Sequence, residues 1–207
     1  MPLRGMMTDD VSRAAMPQLP CFVSFVDNLR DIWRSHADDA TRMGLAREIL
    51  SDLARNPALL AHSKNWPDTV GQNLLLHEDE TYGFVVNAVV RPPGYKGGVH
   101  DHAHAWVLYG VVDGVESLER YRRLDKGDIP GHAELELVSA KQGTCGTADI
   151  VPPFDIHAEQ GGAQRSVALI VRSQRLVGKV LQNHFDLKTQ KVTQGSGPQQ
   201  VPYVLNA

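Results

Sequence analysis

The sequence predicts a mainly β fold, a barrel or sandwich, with a pair of α-helices ahead of it. Two periodicities and one spacing predict this. Apolar residues recur at three and four positions between Phe22 and Leu53, the signature of one buried helix face. From Gln72 onward the period changes to two, and Gly, Pro, Asp and Asn multiply between the apolar runs. Many short strands joined in this way indicate a closed or two-layered β architecture.

Taken in order, residues 1–19 mix methionine, proline and acids without periodicity and are expected to form a flexible tail. Phe22, Phe25, Val26, Leu29, Ile32 and Trp33 then outline a first amphipathic helix. Leu45, Ile49, Leu50 and Leu53 outline a second, with Asp38 or Asp39 as its cap and an end near Asn56-Pro57. These residues read as packing, so 20–65 become helices laid on the barrel, and His36 and His62 are expected to face solvent. Strands are expected over 73–77, 82–91, 106–112, 115–124, 133–139, 166–173 and 176–182. Asp113-Gly114 marks a tight turn between two of them. The stretch TQKVTQGSGPQQ is polar, and VPYVL is expected to add a last strand that covers a sheet edge. No repeat or long linker interrupts 66–207, so the barrel and its helices count as one domain.

Composition narrows the function classes. With 207 residues, 42% hydrophobic and 22% charged, the chain is of ordinary globular make-up. At this size roughly 70% of the unfolded surface can be buried, so disulfide staples are not required. Cys21 and Cys145 form no metal-type pair, and two thiols in so long a chain suggest a reducing compartment. The N-terminus lacks the apolar core of a secretory signal, and no stretch reaches the ~18 apolar residues of a membrane span. The expected location is the cytoplasm. A net charge of −3 and a pI near 6.3 argue against a nucleic-acid surface.

The chemistry concentrates in GYKGGVHDHAHAWVLYGVVDG, where His100, His102 and His104 stand at alternate positions. Residues two apart on a strand share a face, so His100 and His102 can grip one ion. Imidazole suits zinc, iron, copper and nickel. A further ligand must come from a distant strand lying alongside, and His157 is the candidate. Glu159, two positions later, shares its face on a regular strand and becomes a candidate fourth ligand or proton acceptor. Asp101 and Asp155 sit one position from ligands, so alternation turns them toward supporting hydrogen bonds.

Gly94, His100, His102, Val107 and Gly114 stand at the spacing of the first cupin motif, with Val107 where many cupins carry a glutamate ligand. Gly146, Pro152 and His157 resemble the second motif, although Phe154 replaces its usual glycine and Gly161 its usual asparagine. The two segments cover about a fifth of the chain. The His-Asp-His run without a following glutamate most resembles the cysteine dioxygenase-like branch of the cupins, whose small-thiol dioxygenases hold iron with three histidines. The resemblance implies a cupin double-stranded β-helix, a jelly-roll barrel behind its two N-terminal helices. It also implies Fe(II) held by His100, His102 and His157, a small-molecule substrate and dioxygen as partners, and pairing into a homodimer. The residues alone leave Zn(II), Ni(II) or Mn(II) open.

The departures bear on the substrate. Thiol dioxygenases carry a Ser-His-Tyr set on the strand after the third ligand, whereas SVALIVRS places Ala168, Ile170 and Arg172 there. Their carboxylate-anchoring arginine is missing near Leu74, and Val107 stands where mammalian-type enzymes carry a crosslinking cysteine. Arg172 could clamp a carboxylate from the opposite wall, because guanidinium meets carboxylate as a bidentate fork, and Arg91 is a weaker candidate. His104 is read as a proton shuttle if it faces the pocket, whose wall otherwise reads as apolar from Trp106 or Val107, Ile156, Ala168 and Ile170. The leading function is thus an iron dioxygenase acting on a small thiol or other anion. A non-catalytic ligand-binding cupin and a zinc-type hydrolase or isomerase on the same barrel are the alternatives.

Overall fold

A computed structural model describes residues 18–206 of the chain. The tail expected over 1–19 therefore lies outside the described residues except for its end. There Gln18 bridges Asn206, and the Leu19 N–H donates to the Leu205 carbonyl at 2.8 Å.

Three helices follow. Helix α1 (Pro20–Ser35) begins with proline, whose missing N–H costs nothing in a first turn. It buries Phe22, Phe25, Val26, Leu29, Ile32 and Trp33, the stripe the spacing predicts. Helix α2 (Asp39–Ala54) is capped by Asp38, which accepts from the Thr41 N–H at 2.8 Å. Helix α3 (Pro57–Ser63) is an addition to the expected pair: Pro57, read as a terminator, is its first residue, and Asn56 caps it through the Ala58 N–H. His62 does not simply face solvent; its ring accepts from Trp66 Nε1 at 2.7 Å and meets the Asn206 carbonyl at 3.0 Å. His36 is half-buried.

Among the described residues twelve strands form two six-stranded sheets. In chain order they are β1 (Gln72–Glu78), β2 (Val85–Arg91), β3 (Val99–His100), β4 (Val107–Asp113), β5 (Glu116–Arg123) and β6 (Leu135–Gly143). Then come β7 (Ala148–Val151), β8 (Ile156–Gly161), β9 (Ser166–Arg172), β10 (Leu181–Asp186), β11 (Lys191–Ser196) and β12 (Gln199–Pro202). Strand β2 pairs with β9, β3 with β8, β4 with β7 and β5 with β6, all antiparallel. One long two-stranded ribbon, with its bend between β5 and β6, is thus wound so that successive turns fall in alternate sheets. That winding is a double-stranded β-helix, and the sheet orders β2-β9-β4-β7 and β3-β8-β5-β6 are its jelly-roll layers.

The flanking strands extend the sheets. The expected C-terminal strand is present as β12, which covers the β1 edge in parallel. The strand expected over 176–182 begins later, as β10, because Leu176 and Val180 pack with Ala105 in the preceding turn. Polar β11 was hidden by its lack of alternation. Between β4 and β5, Gly114 adopts φ +75, and a Cβ there would meet the Arg165 carbonyl at 2.5 Å. The turn read from Asp113-Gly114 therefore needs its glycine.

Alternation assigns the faces of β2, β4 and β9. Val86, Ala88, Val90, Leu108, Val112, Val167, Leu169 and Val171 join the helices in the main apolar core. Gly110 lets α2 approach, since a Cβ there would press on Leu50 Cγ at 2.8 Å. The opposite residues, among them Val107, Tyr109, Ala168 and Ile170, point between the two sheets.

Candidate metal centre

The winding brings β3 against β8 so that His100 and His157 are direct register partners. His102 lies just past the end of β3, and Ala103 at φ 46 then turns the chain away. The result is a cluster in which one ring nitrogen from each of His100, His102 and His157 lies within 4.8 Å of the others. His102 and His157 are fully buried, and His100 is half-buried.

Backbone carbonyls orient two of the three rings. His157 Nδ1 faces the Asp155 carbonyl at 2.9 Å and His100 Nδ1 the Gly98 carbonyl at 3.0 Å. A carbonyl only accepts, so each neutral ring carries its proton on Nδ1 and presents the Nε2 lone pair to the cluster. His100 Nε2 stands 3.2 Å from His102 Nε2, and His157 Nε2 stands 3.1 Å from Glu159 Oε1. His157 Nε2 and Glu159 Oε1 are both buried without a hydrogen-bond partner. The His157 nitrogen and the Glu159 carboxylate thus converge without a hydrogen bond between them, and a divalent cation would hold both. Two ligand atoms each about 2.1 Å from one ion stand about 3.0 to 3.4 Å apart at octahedral or tetrahedral angles. The residues present therefore fit a metal ion.

Electrostatics agree. Burial, reinforced by His157, pushes the His100 imidazole down to about 4, and burial beside His100 pushes His102 well below its usual range. Both rings are held neutral, the form that ligates. Burial also works against a charged His157, but the Glu159 carboxylate outweighs it and raises the ring. Glu159 itself is held well below the usual carboxylate range despite burial, by His100, His157 and Arg91.

Two arginines enter the barrel and are treated differently. Arg91 pairs with Glu116 at 2.5 Å, Glu116 also accepts from Ser166 Oγ at 2.8 Å, and Glu159 is 4.0 Å away on the other side. Burial opposes its charge, but Glu116 prevails and raises its pKa. Arg172 is only 3% exposed and has amide partners instead. Asn87 Oδ1 accepts from its Nη1, the Asn73 amide, oriented to satisfy both ends, accepts from Nη2 at 2.9 Å, and Nε has no partner. No carboxylate among the described residues pairs with it, and burial lowers its pKa. Both arginines line a cavity of about 330 Å³ together with His100, His102, Tyr95, Tyr109, Glu159, Ile170 and His184.

The expected residues divide as follows. His100, His102, His157, Glu159 and Arg172 come together. His104 does not: the positive φ of Ala103 breaks the alternation, and the ring is exposed, 2.7 Å from Gln174 Nε2. The wall loses Trp106, which packs on Trp33 of α1 at 5.4 Å, and Ile156, which packs with Val99, Ala133 and Phe185. Val107, Ala168 and Ile170 face inward as expected. Asp101 buttresses the ligand loop through the N–H groups of Ala103 and Asn183, and Asp155 pairs with Arg120. Sequence reasoning missed Tyr109, whose place two residues after inward-facing Val107 was the available signal. It also missed His184, the register partner of His100 from β10.

The chain matches no family model. No curated protein matches it either. Solved structures similar to it include a conserved protein with a double-stranded β-helix domain from Klebsiella pneumoniae, 16% identical over 58% of this chain and 85% of that one, with a TM-score of 0.42. The Cnp3 cupin domain of Schizosaccharomyces pombe is 13% identical over 49% of this chain and 59% of that one, at a TM-score of 0.39. KdgF from Halomonas is 18% identical over 49% and 77%, at a TM-score of 0.38. The strand order described above carries the fold: a mainly β double-stranded β-helix with N-terminal helices.

Proposed function

We propose that this chain is a metal-dependent cupin enzyme, an oxygenase that holds a small carboxylate-bearing substrate between its three-histidine metal site and Arg172. One observation carries the reading. Among the described residues Arg172 is a buried guanidinium without a carboxylate partner, lining the same cavity as His100 and His102. Its direct register partner on β4 is Val107, the position at which the resemblance expects a glutamate. Valine there leaves the arginine uncompensated, and a buried charge is costly until it is paired. The substrate would supply the missing carboxylate.

A divalent ion in three neutral imidazoles would keep its full charge and open positions, suited to an anionic donor and dioxygen side by side. The protein's own contribution is positioning. Arg172, held flat by Asn87 and Asn73, would fix one end of the substrate and leave its thiolate or other donor at the histidines. Ile170, Ala168 and Val107 would keep water from the reacting centre. With a thiolate, both atoms of one dioxygen molecule would end on sulfur, giving a sulfinate with no further reductant. Iron is the metal that chemistry calls for.

The test is metal content per chain on protein prepared without chelator, followed by oxygen uptake across small thiols and carboxylates, with His157→Ala alongside. About one iron per chain and uptake on carboxylate-bearing compounds, both lost in the variant, is the expected result. Turnover that survives in His157→Ala removes the mechanism. A second reading, a ligand-binding barrel without catalysis, is favoured by Ala168 and Ile170 standing where thiol dioxygenases carry proton-transfer groups. Metal and carboxylate binding without oxygen uptake would select it.

A further inference from the structure

We infer that Glu159 completes the metal site as a fourth ligand, so that the glutamate absent from position 107 on β4 is replaced functionally by one on β8. The inference rests on the metal reading above and adds a residue to it.

Charges inside the barrel do not all find partners. Arg91 and Arg172 bring two cations, Glu116 and Glu159 two anions. Arg91 and Glu116 close on each other at 2.5 Å, with Ser166 completing the pair. Glu159 is left over. It is 6% exposed, 4.0 Å from an arginine already neutralised, and its Oε1 accepts no hydrogen bond. A buried carboxylate normally collects two or more donors, and a carboxylate whose only role was to balance Arg91 would turn an oxygen to that guanidinium at hydrogen-bond distance. Instead Oε1 stands 3.1 Å from His157 Nε2, the separation of neighbouring ligands on one ion. His157 Nδ1 faces the Asp155 carbonyl, and despite the short separation Nε2 and Oε1 do not form a hydrogen bond with each other.

The backbone fixes this placement. Glu159 follows His157 by two positions on a regular strand, so both point inward. Its carbonyl accepts from the Gly97 N–H at 3.1 Å, on the chain that leads into β3. Any side chain at Gly97 would run into that carbonyl, so the close approach holds β8 against the segment that carries His100. One strand therefore offers two ligands in a His-x-Glu arrangement, facing the His-x-His pair of the neighbouring segment. The ligand set would be three imidazoles and one carboxylate, a charge that lowers the net positive charge of the site to one and favours a monoanionic donor beside the Arg172 clamp.

Cobalt(II) is the probe, because its visible spectrum reports coordination number and donor type independently of turnover. Apo protein, Glu159→Gln and Glu159→Asp would be titrated anaerobically, with circular dichroism confirming that each variant folds. Aspartate keeps the charge beside Arg91 but withdraws the carboxylate by one methylene. The expected result is one cobalt per wild-type chain, with affinity at least about tenfold weaker and an altered visible band in both variants. Wild-type affinity and an unchanged band in Glu159→Gln would overturn the inference and leave Glu159 as a counter-ion of Arg91. Weakening in Glu159→Gln but wild-type behaviour in Glu159→Asp would also overturn it, since charge without coordination would then suffice. Failure of the wild type to bind cobalt would instead sink the three-histidine reading beneath it.

Discussion

The sheet β1-β2-β9-β4 has two faces built from alternate residues of the same strands, and they obey different rules. Toward the helices β9 shows Val167, Leu169 and Val171, all fully buried among apolar neighbours. Toward the barrel interior it shows Ser166, Ala168, Ile170 and Arg172, two of them bonded into polar networks. Strand β2 repeats the pattern, with Val86, Ala88 and Val90 on one side and Asn87 and Arg91 on the other. Burial is equal on the two faces, so burial does not separate structure from function here. The difference lies in whether each buried group is satisfied by its neighbours. Apart from Trp106 Nε1 just ahead of β4, the helix face is complete; the barrel interior leaves Arg172 Nε on this sheet, and His157 Nε2 and Glu159 Oε1 on the facing one, unpartnered.

The largest effect that would sharpen this contrast is on the complete face. Leu169→Ala should cost about 2–5 kcal/mol of folding stability, the transfer loss plus a cavity that packed helices cannot collapse. Denaturant unfolding would measure it, and metal content per folded chain should stay at the wild-type value. A Leu169→Ala protein of undiminished stability would show that the helices contribute little to holding the sheet.

On the incomplete face the signs reverse. Arg172→Met removes a buried charge that has no counter-ion, so the apo protein should keep or gain stability, as replacing buried ionic groups by apolar ones of similar volume often does. Affinity for a small carboxylate, read by calorimetry on metal-loaded protein, should fall about 10- to 100-fold, the loss of about 1.5–3 kcal/mol from a charge-assisted hydrogen bond. A destabilised variant with unchanged carboxylate affinity would make Arg172 a structural residue and dissolve the distinction between the faces. Asn87→Leu should also weaken carboxylate affinity, by less because Asn73 still holds the guanidinium, but it should lower stability, since it takes a partner from a charge that stays buried.

The complete face was the more legible of the two. Helix periodicity located α1 and α2 because their apolar stripes are continuous, and strand alternation found β1, β2, β4, β5 and β9 to within a few residues. Short β3 and β7 carry too few residues for a period, and β11 has no apolar face to alternate. The metal cluster was readable because His100 and His102 stand two residues apart at the end of one short strand and the third ligand follows a turn motif. His104 could not be placed, since the left-handed turn at Ala103 leaves no mark in a run of alternating histidines. The partner state of each arginine was equally hidden. Whether Arg91 meets Glu116 and Arg172 meets none depends on register across the wound ribbon, which no local pattern encodes.

The smallest expected effect lies at the rim of the helix face, where its one buried carboxylate ties α1 to the sheet. Asp79 Oδ2 accepts from Arg30 Nε of α1 at 2.7 Å and lies 3.4 Å from His77 Nε2 of β1, while Oδ1 accepts from the N–H groups of Thr81 and Tyr82. Burial opposes its charge, but these donors prevail, with Arg30 foremost, and lower the folded pKa below 3.8. The stabilisation is therefore complete above the unfolded value and is lost as the pH falls through the lower folded one. Asp79→Asn keeps the oxygen that caps the turn and removes only the charge facing Arg30. It should cost about 1 kcal/mol at neutral pH, and its stability curve should converge on that of the wild type in acid. A constant gap down to strongly acidic pH would mean that the substitution disturbs the turn itself. Asp79 would then belong to the packing of the helix face, which would be complete without any help from charge.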